Sequence, residues 1–195
     1  MLSRARAVFQ RRPLLTNVTS FGAMYAGAEA TQQTILLFLD KDKKERGKLD
    51  WATVGRFGLI GLGCIGPLLF GWYRVLDRAL PATSSGAVAK KVLADQLISS
   101  TSCIAIFFTG MSILEGKEDI FAEVKAKFWS TYQVSCCFWL PAQALNFALL
   151  PPYSRVAFVG AASFVWVNVL CLLKRRRLPE PPVEVVGEIT DVAVK

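Results

Sequence analysis

The chain contains no histidine. That absence excludes Ser-His-Asp and Cys-His nucleophile systems, the usual zinc enzymes and histidine proton relays. Its five cysteines (Cys64, Cys103, Cys136, Cys137 and Cys171) include no Cys-x-x-Cys pair and are odd in number. They support neither a disulfide frame nor a zinc site, and read as small buried hydrophobes within apolar stretches. The glycine run Gly55, Gly58, Gly61, Gly63, Gly66 and Gly71 has no Gly-Lys-Ser/Thr, so it is not a phosphate loop. There is no internal repeat and no low-complexity tract. With these groups missing, the expectation is a protein that is not an enzyme, with no catalytic residue, no metal and no cofactor.

Acidic residues are also missing from the first part of the chain. None precedes Glu29, whereas Arg4, Arg6, Arg11 and Arg12 do. This style of basic segment suits a mitochondrial presequence or a matrix-facing arm, and no secretory h-region precedes the first apolar block. An ordinary positively charged flank of a membrane helix is the alternative.

What the chain has in quantity is apolar residues, 53% of its 195, and they come in blocks. About 20 apolar residues at 1.5 Å each span a hydrocarbon core. Five stretches reach that scale: residues 14–39, 52–76, 92–114, 128–150 and 153–173. The fold class expected is an all-α polytopic membrane helix bundle. Three segments follow: a basic N-terminal arm over 1–13, the bundle over 14–173, and a basic cluster with a disordered tail over 174–195.

Charge in the connections sets an expected orientation. Residues 40–50 and 115–127 are mixed in sign, whereas 74–91 carries Arg74, Arg78, Lys90 and Lys91 against Asp77. The N-terminal arm, this middle connection and Lys174-Arg175-Arg176-Arg177 should therefore share the matrix side, with basic clusters acting as orientation signals or lipid contacts. An even number of crossings is then required. Four crossings result if 128–150, with Pro141 and its amides, is interfacial, re-entrant or packed against the bundle. Five full crossings are the alternative.

Charges inside hydrocarbon need partners or water. Glu29 shares a helix face with Gln32 and Gln33, and an arginine such as Arg56 or Arg74 is a possible partner across an interface. Asp95 neighbours Gln96 and lies four residues after Lys91. Gln143 and Asn146 also share a face. These residues could line a water-filled path or act as interhelical glue. The glycine run, with Gly22, Ala26 and Ala30, permits close helix approach, and Gly66-Pro67 should bend the second span under a close neighbour. Gly63→Leu is expected to disturb that packing. Trp51, Trp72, Tyr73, Trp129 and Tyr132 suit aromatic belts.

Taken in order, Gly66-Pro67, Gly71-Trp72-Tyr73, Leu76-Asp77, Lys91, Asp95-Gln96 and Glu115-Gly116 form a specific pattern. It continues through Phe128-Trp129, Trp139, Gln143, Asn146-Phe147, Pro151, Arg155 and Trp166. This pattern resembles the Mpv-seventeen / peroxisomal membrane protein family over residues 13–173. Two departures stand out. Glu29 replaces the family's usual Asp in the first span, and Trp139-Leu140-Pro141 displaces by one a proline that commonly follows the tryptophan directly.

The resemblance implies a small helical protein of the mitochondrial inner membrane, or alternatively the peroxisomal membrane, with channel-like or metabolite-permeation activity. Family members are also tied to mitochondrial DNA maintenance, reactive-oxygen handling and, in one branch, mitochondrial ribosome assembly. The N-terminal arm looks nearest to a mitochondrial Mpv-seventeen-like branch. Two functions are therefore carried forward: a weakly selective conduit contributing to mitochondrial homeostasis, and a membrane-anchored factor for ribosome assembly or stability. The partners expected are the lipid bilayer, a second copy of the chain and, on the latter reading, mitochondrial ribosome components. Direct DNA binding is not expected.

Overall fold

The computed structural model describes residues 13–39, 47–80, 85–149 and 152–176, apart from the side chains of 77, 85, 146–148 and 152–157. The N-terminal arm, the charges of 40–46, Arg177 and the tail therefore lie outside the described residues. So do Pro151 and the side chains of Asp77, Asn146, Phe147 and Arg155. Within the described residues the secondary structure is helical, with no strand.

Five helical rods match the five apolar blocks. The first, α1, runs over Pro13–Leu39. The second, α2, comprises Trp51–Ile60, a π-helical turn Gly61–Ile65, and Gly66–Ala79. The third, α3, comprises Ser85–Ala94, a second π segment Asp95–Ser100, and Thr101–Leu114. The fourth and fifth, α4 and α5, are Ala122–Leu149 and Pro152–Arg175. By length and composition Trp51–Leu76, Gly86–Leu114 and Phe158–Arg175 can each cross a membrane. α1 and α4 have the length, at 27 and 28 residues, but carry more polar groups. Several of those groups point inward: Glu29 and Gln32 on α1, and Glu123, Lys127, Thr131 and Ser135 on α4, are buried, whereas Gln133 is exposed. α4 is unbroken through Pro141 and packs along α3 and α5, so it does not double back as a re-entrant segment.

The ends are set by local chemistry. Asp50 caps α2 by accepting from the Thr53 amide at 3.1 Å and the Thr53 hydroxyl at 2.6 Å. α3 ends in a Schellman motif, with Gly116 at φ +69°. The Lys117 amide donates to the Ser112 carbonyl at 3.0 Å, and the Gly116 amide to Ile113 at 3.1 Å.

Close packing of α1 on α2 uses glycine. A Cβ at Gly61 would lie 2.6 Å from the Phe21 carbonyl oxygen, one at Gly66 2.9 Å from Val18 Cα, and one at Gly22 2.9 Å from Leu62 Cβ. The expected close neighbour over Gly66-Pro67 is therefore α1. Gly55, Gly63 and Gly71 have open space instead, so the expectation for Gly63 is corrected. The π turn just before Pro67 adds a residue to that turn and rotates the following face, which shifts the glycines that meet α1. Behind this interface, Phe57 and Phe108 meet Phe107 edge-on, each with ring centroids 5.3 Å apart.

The rods alternate in direction. The start of α2, the α3–α4 connection and the last turn of α5 meet at one end of the bundle, where Thr53, Glu115, Glu123, Lys174 and Arg175 line one cavity. The opposite end holds the start of α1, where Val18 meets Gly66. Lys174 and Arg175 thus lie at the end away from the start of α1, not beside it as the charge pattern suggested. Glu115 and Glu123 draw Lys174 inward and Glu29 pairs with the partly exposed Arg175, so these two residues do more than mark a flank.

Candidate functional site

The polar residues singled out in the sequence fall into two groups. In the middle of the bundle, all five helices wall a cavity of about 150 Å³. Asp95 enters it from α3, Tyr73 from α2, Ser135, Trp139 and Gln143 from α4, and Trp166 from α5. The Trp72 indole Nε1–H donates to Asp95 Oδ1 at 2.8 Å, and Tyr73 and Ser99 line the cavity beside this carboxylate. Trp72 of the neighbouring helix thus holds Asp95. Both π segments contribute to this wall, through Ile65 and through Asp95, Ser99 and Ser100. Such insertions re-aim side chains and recur at functional sites. Trp139 and Trp166 lie with ring centroids 6.4 Å apart and cover the cavity with aromatic surface.

Beside this cavity, Gln96 is buried between α3 and α4. Its Nε2 donates to Ser135 Oγ at 3.2 Å and to Cys136 Sγ at 3.3 Å, while Ser100 donates to its Oε1 at 3.4 Å. Gln96 therefore acts as interhelical glue at the cavity rim.

The second group sits at the end of the bundle, around a cavity of about 240 Å³. Glu29 is 1% exposed and faces the interior as expected. Gln33 Nε2 donates to it at 2.9 Å, and its cation is Arg175 of α5, correcting the choice of Arg56 or Arg74. Arg56 bonds Thr53 on its own helix, and Arg74 lies over the Phe70 ring at 5.2 Å. Gln33 also accepts from the Asp50 amide at 2.7 Å, tying α1 to the cap of α2. Gln32 Nε2 reaches Asn168 Oδ1 on α5 at 3.3 Å.

Across the cavity stands a network that periodicity alone did not suggest. Glu123 pairs with Lys174, with Lys117 at 3.1 Å and with Lys127 at 3.2 Å. Glu115 pairs with Lys117 at 2.8 Å and with Lys174 at 3.0 Å. Burial pushes the Glu123 carboxyl up, but the Lys174 hydrogen bond and the surrounding lysine charges bring it down to about 2. Burial likewise opposes the Lys117 charge, yet Glu115 and Glu123 hold its pKa above the ordinary value. The missed signal was the mixed charge of residues 115–127, an acid-rich counterpart to the basic end of α5.

Glu29 and Asp95 therefore line different cavities, and Gln143 goes with Asp95. The remaining expectations divide similarly. Trp51 and Trp129 are exposed, as suits an aromatic belt, whereas Trp72 is committed to Asp95. Of the cysteines only Cys171 is buried; Cys64 and Cys137 are exposed on the outer surface, and Cys103 and Cys136 are half-buried.

Comparison with known proteins shows the family to which the chain belongs. A family model described as the Mpv17 / PMP22 family matches residues 112–171. The Mpv17-like protein of Xenopus laevis is 32% identical over 186 residues, covering 95% of this chain and 89% of that protein. The chain belongs to the Mpv17/PMP22 family. Protein SYM1 of Mycosarcoma maydis is similar at 32% identity over 155 residues, 77% of this chain and 74% of that protein. Peroxisomal membrane protein 2 of Bos taurus is 28% identical over 176 residues, 88% of each chain. No solved structure matches. As a member of this family the chain is a helical membrane protein. The stretch matched by the family model contains Glu115, Lys117, Glu123, Ser135, Trp139, Gln143 and Trp166, so it takes in one wall of each cavity.

Proposed function

We propose that the chain is a weakly selective conduit for small metabolites in the mitochondrial inner membrane, without enzymatic activity. The observation that carries this reading is the central cavity, walled by all five helices and lined by apolar and aromatic side chains among which stand a hydrogen-bonded carboxylate, hydroxyls and an amide. A bundle that needed only stability would fill that volume with apolar side chains, because each void forfeits packing. The mitochondrial assignment rests on the basic, acid-free segment before Glu29 and on the resemblance to the mitochondrial branch. The relative named a peroxisomal membrane protein makes the peroxisomal membrane the alternative.

All five rods cross the bilayer on this reading, since α1 and α4 turn their charged groups Glu29, Glu123 and Lys127 inward and leave mostly apolar residues outward. The N-terminal arm and the connection between α2 and α3 then face the matrix, and the end of α5 faces away. A ribosome-assembly role would draw on the basic N-terminal arm and the basic cluster over 174–177; within that cluster Lys174 and Arg175 are engaged in ion pairs with Glu115, Glu123 and Glu29. Osmotic swelling of proteoliposomes in small sugars and organic acids tests the conduit. Solute entry that depends on the protein and falls with solute size is expected. Impermeability to solutes of every size would overturn the proposal.

A further inference from the structure

The two cavities are joined by one helix. On α4, Glu123, Lys127, Thr131 and Ser135 recur every four residues, a spacing that sets each beside the one before. Glu123 lines the end cavity and Ser135 the central one. Twelve residues at 1.5 Å each separate them by about 18 Å along the helix axis. All four side chains are buried, with Thr131 at 0%.

Thr131 is the unexplained member. Thr31, Thr34 and Thr101 each donate to the carbonyl four residues earlier, at 2.7 Å, as membrane-helix threonines commonly do. The Thr131 hydroxyl is buried without a hydrogen-bond partner among the described residues. A buried orphan hydroxyl is costly unless something polar meets it in another state or through water. One step toward the end cavity stands Lys127. Its ammonium group donates to Glu123 at 3.2 Å and to the Lys174 carbonyl at 2.6 Å, and lies 5.9 Å from the centroid of the buried Phe108 ring. Glu123 already has Lys174 and Lys117 as partners. A third, buried lysine is therefore not needed to neutralise it.

We propose that this α4 stripe is the passage between the two cavities, with Lys127 closing it in the present conformation and setting its charge preference against cations. The inference rests on the conduit reading and deepens it by naming the path and its gate. Withdrawal of the Lys127 ammonium toward the end cavity would leave Thr131 as the next polar contact for a passing solute, followed by Ser135 and the central cavity. A fixed positive charge in a narrow, desolvated passage disfavours cations and tolerates anions and neutral solutes.

Planar-bilayer recordings of the full chain under a potassium chloride gradient test this. Lys127→Met keeps the length of the side chain and removes its charge. The expected result is a reversal potential shifted toward that of potassium, a rise of roughly twofold or more in cation over anion permeability. Lys127→Arg should keep the wild-type value. Thr131→Val is isosteric and removes no bond, so a merely structural residue would give equal or higher thermal stability and an unchanged current. A place on the path predicts lower unit conductance at that same stability. Thr131→Val carries the test alone if Lys127→Met fails to fold. Wild-type reversal potential and conductance in the folded variants, with Asp95→Asn still altering the current, would overturn this inference and leave the conduit standing. A wild-type protein that carries no current would overturn both.

Discussion

Glu29 on α1 and Arg175 in the last turn of α5 form an ion pair across 146 positions of the chain. The carboxylate is almost completely buried, while the guanidinium side chain is 34% exposed. The two partners are therefore unequal. Arg175→Ala leaves a buried carboxylate without its cation and should cost about 3 kcal/mol or more. Glu29→Gln leaves a partly exposed arginine that water can solvate, and the new amide can still bond Gln33, so about 1 kcal/mol is expected. Thermal unfolding in detergent checks the order, and the double variant should be much less destabilised than the sum. Glu29 lines the end cavity from which the α4 stripe leads, so Glu29→Gln should also change the ion selectivity of the folded protein.

The glycines of α2 give a second, internal comparison. Gly61→Ala would force a methyl group toward the Phe21 carbonyl and the Tyr25 side chain, at 2.6 and 2.9 Å. Separation of α1 from α2 should follow, at about 1–3 kcal/mol. Gly63→Ala meets nothing within 4 Å and adds helix propensity, so it should be neutral or stabilising by up to about 1 kcal/mol. Paired melting curves in one detergent decide between them; equal losses would contradict the packing described.

Glu123 predicts a pH dependence whose sign follows from its depressed pKa. Its contribution to stability is complete above the ordinary glutamate value of 4.5 and is lost as pH falls toward about 2. The network around Lys117 and Lys174 should loosen across that window. Melting temperature in detergent should fall more steeply with acid for the wild type than for Glu123→Gln, which lacks the titrating group. Parallel curves would show that Glu123 does not carry this linkage.

The helices were legible because a run of about 20 apolar residues has few other uses. Their ends were less so. Residues 85–91 and 122–127 continue α3 and α4 although they are not uniformly apolar, since helix formation does not require the residues that hydropathy counts. Burial of Glu29 and its bond to Gln33 followed from local spacing. Its cation did not, because Arg175 lies far away in the chain within a basic cluster that reads as a lipid-facing flank. The separation of Glu29 from Asp95 was hidden for a related reason: position along a segment does not reveal which end of the bundle its neighbours bring together. Neither π turn was visible, although each alters which residues of α2 and α3 face inward.

The central claim is that solutes cross through the cavity beside Asp95. Its most direct test is the reversal potential of the purified protein in planar bilayers under a salt gradient, compared between wild type, Asp95→Asn and Cys137→Ser on the outer surface. Removing the cavity carboxylate should lower cation relative to anion permeability, while Cys137→Ser should leave it at the wild-type value. An unchanged reversal potential in a folded Asp95→Asn protein, or no current from the wild type, would contradict the account.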